Sequence, residues 1–253
     1  MKARLKLALM LSATLLNSCR TAERAPFSSL LHNPDAPELN QRAPERFDVR
    51  LETSRGDLVI EVHRDWAPRG ADRFYNLVRA GYYDGGRFFR VIRGRWAQFG
   101  INGDPKISSL WRERTFPDDP RVESNLRGTI AFAFAVPNGR ATQVFINLRD
   151  NSATHDPESF APFGRVIAGM EIADALNAEY GESSGGGIRG GKQAPLFELG
   201  NAWLDRHFPR LDYIKRATVT DRAAQKGTGR GIRRACSCLP FGKVSRQIMA
   251  VNH

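Results

Sequence analysis

RFFRVIRGRWAQFGINGDP, residues 87–105, sets a permanent charge inside an apolar alternating run. Arg90 stands two residues after Phe88 and two before Ile92, so a strand here puts all three on one face. A guanidinium on such a face either pairs with a carboxylate or lines a pocket that takes a ligand. Gln143-Val144-Phe145 is the companion case: on a strand, the Gln143 amide and the Phe145 ring project together.

Outward from this stretch, alternation marks strands at Phe47–Thr53, Leu58–His63, Arg87–Ile92, Trp96–Ile101, Thr129–Phe134, Gln143–Leu148, Phe163–Ala168 and Tyr213–Thr220. Ser54-Arg55-Gly56-Asp57 turns the first pair into a hairpin. Pro68 opens a helix in which Ala71, Phe74, Leu77 and Val78 recur at helical spacing, and Gly81 ends it. Met170–Glu179 reads as a second helix. The pattern suits a mainly β fold, a closed antiparallel eight-stranded barrel capped by two helices. Gly181–Gly191 reads as a loop. Its Gly186-to-Lys192 spacing imitates a phosphate-binding loop, but Gln193 stands where a Ser or Thr would hold magnesium, and a helix precedes it; that function is excluded.

With 253 residues, 41% of them hydrophobic, the chain can bury one sizeable core. The formal charge of +11 sits at the ends: residues 47–220 hold 24 Lys and Arg against 22 Asp and Glu, whereas 1–46 carry +3 and 221–253 carry +6. A near-neutral domain lacks the basic face of a nucleic-acid binder, and no nucleic-acid partner is expected. The 221–253 tail reads as a basic, disordered arm or as sequence past the natural end; a contact with anionic lipid is a further reading of it. No cysteine lies between 20 and 235, so no internal disulfide supports the domain; Cys236 and Cys238 have no further ligands beside them. The five histidines (32, 63, 155, 207, 253) show no ligand spacing, and no metal is expected.

Lys2, Arg4 and Lys6 followed by the apolar Leu7–Leu16 read as an export signal, too short to span a membrane. Leu16-Asn17-Ser18-Cys19 resembles a bacterial lipobox, which implies a lipid on Cys19. The expected organisation is a signal over 1–18, a Pro-containing tether over 19–46, a domain over 47–220 and the tail. The expected location is the bacterial cell envelope, lipid-anchored and facing the periplasm. Arg20, in place of a retention aspartate, favours the outer membrane.

FFRVI (Phe88–Ile92), Gly94, Trp96–Gly100, Gly103-Asp104, GTIAFAFA (Gly128–Ala135), TQVFINL (Thr142–Leu148) and FAPFGRVIAGME (Phe160–Glu171) resemble, in order, the blocks of cyclophilin-type peptidyl-prolyl isomerases. The resemblance implies isomerisation of X-Pro bonds in proline-containing clients, here exported proteins, by a monomer without a cofactor. It maps Arg90 to the arginine that stabilises the twisted amide and Gln98 to the glutamine that orders it. Trp96, Ala133, Phe134, Gln143 and Phe145 fall at substrate-binding positions, with Thr154 or His155 at the pocket border. One departure stands out: Arg95 replaces a phenylalanine of the proline slot. That change, with the altered His155 loop, motivates the alternative of a non-catalytic peptide-binding module on the same fold.

Overall fold

A computed structural model describes residues 28–186 and 192–220. The expected signal, Cys19 and the basic tail lie outside these residues.

Eight antiparallel strands form one sheet in the order β3-β4-β6-β5-β7-β2-β1-β8. The strands are β1 Arg46–Thr53, β2 Asp57–His63, β3 Arg90–Ile92, β4 Trp96–Phe99, β5 Thr129–Phe132, β6 Val144–Asn147, β7 Pro162–Ala168 and β8 Ile214–Thr220. All eight expected strands are present, with shifted ends. The barrel is not closed, which corrects the expected architecture to a curled half-barrel. Its edges β3 and β8 meet at a single antiparallel bridge, Arg87 with Tyr213, and at nearby backbone bonds such as Phe88 N–H to the Asp212 carbonyl at 2.9 Å. The reason is length: β3 has three residues, and between the turn at 81–85 and β3 only Arg87 pairs, as an isolated bridge.

Helix α1, Pro68–Ala80, starts on a proline and stops at Gly81, whose φ of 76° is the left-handed conformation that ends helices. The Asp119 carboxylate accepts from the Arg69 and Gly70 amides at 3.1 and 2.8 Å, satisfying the helix's orphan donors from a distant loop. The helix buries Ala71, Phe74, Leu77 and Val78 against the sheet, where Phe74 meets Phe163 at 5.1 Å between ring centroids.

More helices occur than the two expected. These are α2 Pro105–Arg112, α3 Ser152–His155, α4 Met170–Asp174 and α5 Ala194–His207. Helix α4 is the expected Met170–Glu179 cut short at Asp174. Helix α5 breaks at Gly200 (φ 62°, ψ −149°), where a Cβ would come within 2.2 Å of the Gly103 carbonyl. Phe197 and Leu204 from α5, with Leu196, pack on Phe89 and Ile101 as a second, smaller core beside the main one.

The stretch read as a tether behaves otherwise in its described part. Residues 30–32 and 37–39 form 3-10 turns, and Leu31, Ala36, Leu39 and Ala43 are buried in the main core. Trp111 of α2 donates its indole N–H to the Leu31 carbonyl at 2.8 Å. The apolar residues between the prolines explain this, since the helices leave them a surface to cover. Leu31→Ala is therefore expected to lower unfolding free energy by about 2–5 kcal/mol in a urea melt; an unpacked tether would leave the midpoint unchanged.

Candidate active site

The site is a product of strand register. Arg90 on β3 sits opposite Gln98 on β4, Gln98 opposite Phe145 on β6, and Phe145 opposite Ala131 on β5. Directly opposed residues share a sheet face, so the four form one row across four strands. The next row, Val91, Ala97, Ile146 and Ile130, points the other way, and all four belong to the main core. One correction follows for Phe88. It does not share Arg90's face but lies in the main core with Val91, because strand geometry begins only at Arg90.

The row opens into a cleft of about 380 Å³, within the range of small-ligand pockets. Arg90 and Gln98 stand at one end. Phe145, Phe160 and His155 make an aromatic wall, with His155 5.3 Å from Phe145 and 5.0 Å from Phe160 between ring centroids. Trp96 meets His155 edge-on at 5.5 Å. Phe134 packs on Phe160 at 4.6 Å, and the Arg140 guanidinium covers its ring at 4.0 Å. Ala133 lines the cleft too, and so does Thr154, so the alternatives at that border both sit there.

A chain of side-chain hydrogen bonds leads from the row to Gln143 and Gln193. Arg90 Nη1 donates to Gln98 Oε1 at 3.1 Å, Gln98 Nε2 to Gln143 Oε1 at 2.8 Å, and Gln143 Nε2 to Gln193 Oε1 at 2.9 Å. Gln98 and Gln143 are buried, so these bonds fix which way each amide faces. Gln143 does not line the cleft itself. It lies in an adjoining cavity of about 150 Å³, bounded by Ala133, Thr142, Gln193 and Phe197.

The row and its neighbours contain all the catalytic and substrate-binding residues named from sequence: Arg90, Trp96, Gln98, Ala133, Phe134, Phe145 and His155 in the cleft, and Gln143 one cavity away. Sequence reasoning missed Phe160, Glu158, Glu182 and Gln193. Phe160 carried a signal as the first residue of its motif block. Glu182 and Gln193 carried none, because the Gly-rich stretch around them reads as loop whatever it touches.

Residues 48–193 match the family described as cyclophilin type peptidyl-prolyl cis-trans isomerase/CLD. The chain belongs to this family. It is 35% identical over 135 residues to peptidyl-prolyl cis-trans isomerase CYP18-1 of Arabidopsis thaliana, covering 51% of this chain and 81% of that one. It is 34% identical over 145 residues to peptidyl-prolyl cis-trans isomerase A of Dickeya dadantii, covering 54% and 74%. In fold it is similar to a Cryptosporidium parvum cyclophilin of known structure, with a TM-score of 0.52 and 22% identity, covering 70% of this chain and 99% of that one.

Within this cyclophilin, Arg95 is exposed, and its guanidinium lies 4.7 Å from the centroid of the Trp96 ring. The apolar wall is instead supplied by Trp96, Phe145 and Phe160. Burial holds the His155 imidazole below its ordinary value of 6.5; Glu158 opposes the shift and Arg95 adds to it. The shift favours the neutral imidazole at pH 7, and among the described residues its Nδ1 is buried without a hydrogen-bond partner. The sign follows from proton uptake. The unfolded chain binds the proton first, so stability from this group is complete above about pH 6.5 and is lost as pH falls through the lowered folded value. His155→Phe is expected to flatten the fall of thermal midpoint between pH 7 and 5, measured by circular dichroism; an unchanged slope would contradict a half-buried His155 that resists protonation.

Proposed function

We infer that this cyclophilin-type peptidyl-prolyl isomerase works through Arg90, with the X-Pro bond held across the cleft between Arg90 and the Phe145–Phe160 wall. The register row carries the reading: it joins one oriented cation to one aromatic slot. Amide resonance sets a rotation barrier of roughly 18–20 kcal/mol. As the bond twists, conjugation breaks and the prolyl nitrogen gains a lone pair that accepts a hydrogen bond. A guanidinium already in place binds that state more strongly than the planar ground state, which is the condition for catalysis. Among the described residues, Gln98 and Glu182 engage three of the five guanidinium N–H donors, leaving two to meet a substrate. Trp96, Phe145 and Phe160 would hold the proline ring, and Gln98, oriented by Gln143, would steady the peptide backbone. No step in this scheme calls for a cofactor.

The clients on this reading are exported, proline-containing polypeptides. The basic and apolar residues 2–16 and the Leu16–Cys19 motif support export and a lipid on Cys19, in a bacterial envelope with the domain facing the periplasm. On this reading the chain acts as a monomer. In a bacterial host, Cys19→Ser is expected to abolish incorporation of labelled palmitate and move the protein to the soluble fraction. Unlabelled wild-type chain would overturn the anchor.

The catalytic reading is tested by NMR exchange on a short X-Pro peptide. Arg90→Ala is expected to lower kcat/KM by about 100-fold or more, about 2.7 kcal/mol, with an unchanged circular dichroism spectrum. Full turnover in that variant would remove Arg90 from the mechanism, and peptide binding without turnover by the wild type would favour the binding-module alternative.

A further inference from the structure

Arg90 has a second partner that the sequence motifs do not contain. Glu182 accepts from its Nε at 2.9 Å and from its Nη2 at 2.8 Å, so both carboxylate oxygens grip one edge of the guanidinium. Bidentate pairing fixes the plane of the fork as well as its position. The Nη1 corner is left toward Gln98 and the cleft, and the ring of Trp96 lies 5.1 Å from Arg90 Cζ.

Glu182 is half exposed, which would ordinarily make it a weak surface partner. Its loop is not an ordinary surface loop. The Ser184 hydroxyl donates to the carbonyl of Phe89, the residue before Arg90, at 2.7 Å in a buried bond. Gly186 N–H returns to the Glu182 carbonyl at 2.7 Å, and Ser183 N–H to Tyr180 at 2.8 Å. At Gly185, with φ of 157°, an added Cβ would fall 2.6 Å from the Phe89 ring, so the loop lies directly on the residue that precedes the arginine. Gln193 Nε2 donates to the Gly185 carbonyl and to Gln143 Oε1, each at 3.3 Å, while its Oε1 accepts from Gln143 Nε2 at 2.9 Å. The second core, Phe89 with Leu196 and Phe197, lies beneath. Strand, loop and α5 thus form one unit around the arginine.

We propose that Glu182 is a positioning residue for Arg90, holding the guanidinium in its productive orientation so that its free N–H groups meet the twisting amide. The proposal rests on the isomerase reading above and deepens it. Glu182 itself touches no substrate. A charge aimed before the reaction loses no time or energy in reorienting when the prolyl nitrogen pyramidalises. Without Glu182, the side chain keeps Gln98 but regains rotation about its last bonds, and the effect falls on kcat more than on KM.

The test uses the full chain with Glu182→Gln, Glu182→Asp, Arg90→Lys and the Arg90→Lys, Glu182→Gln double variant. Exchange NMR on an X-Pro peptide gives kcat and KM, and a 15N correlation spectrum follows the Arg90 Nε–H resonance. Glu182→Gln is expected to lower kcat about tenfold with KM within twofold, and to remove the slowly exchanging Nε–H signal. Glu182→Asp should recover part of both. In the Arg90→Lys background, where no fork remains to orient, Glu182→Gln should cost nothing more. Unchanged or raised kcat in Glu182→Gln, with wild-type turnover intact, would overturn this proposal alone. An equal tenfold loss in the Arg90→Lys background would make Glu182 a structural residue and overturn it too. Should Arg90→Lys leave no measurable turnover, the Nε–H signal decides: its persistence in Glu182→Gln contradicts the proposal. A wild-type chain without turnover would remove the isomerase reading, and this one with it.

Discussion

Antiparallel pairing in one register, Arg90 against Gln98 against Phe145, is the constraint on which the site depends. A one-residue slip would send these side chains into the core and bring Val91, Ala97 and Ile146 to the surface. The core opposes that slip, because setting a guanidinium and an amide among apolar side chains, away from the Glu182 and Gln143 partners they now hold, costs far more than any gain. Folding stability and active-site assembly are thus the same event. Gly100 guards it at close range: its φ is 107°, and a Cβ there would stand 2.4 Å from the Thr142 carbonyl, between β4 and the segment leading into β6.

Much of this was legible in the chain. The alternation around Arg90 and around Gln143–Phe145 marked the strands, and the polar residue in each apolar run marked the site. Pro68 and Gly81 bounded α1 because both act locally, through a locked φ and a left-handed turn. What was not legible depended on contacts distant in sequence. Helix α5 hid behind Pro195 and Gly200, and its reason to fold is the patch offered by Phe89 and Ile101. Asp104 before Pro105 was a helix start in plain view, with its carboxylate accepting from Lys106 N–H at 2.8 Å, but the short helix has little periodicity to confirm it. Closure of the barrel failed as an expectation because strand counting says nothing about whether the first and last edges run long enough to pair. Phe88 departs from the alternation for a related reason: β3 begins only at Arg90, so the two-residue period does not reach back to it.

Arg95 illustrates how far a motif reading carries. Its identity suggested a damaged proline slot, and the structure provides other walls. Phe160 faces Phe145 edge-on at 5.3 Å, Trp96 fills the corner, and the Arg95 guanidinium lies over the outer face of that indole. Two arginines, 90 and 95, thus flank Trp96 at 5.1 and 4.7 Å, so the apolar surface is kept by stacking rather than by an added ring.

The most direct test of the account is where an X-Pro peptide sits while it isomerises. A 15N NMR titration of the full chain with such a peptide is predicted to shift the backbone signals of Arg90, Gln98 and Phe145 together with the Trp96 indole, saturating at one affinity. Shifts clustered on another surface, with this row unmoved, would contradict the placement of the reaction in the Arg90 cleft.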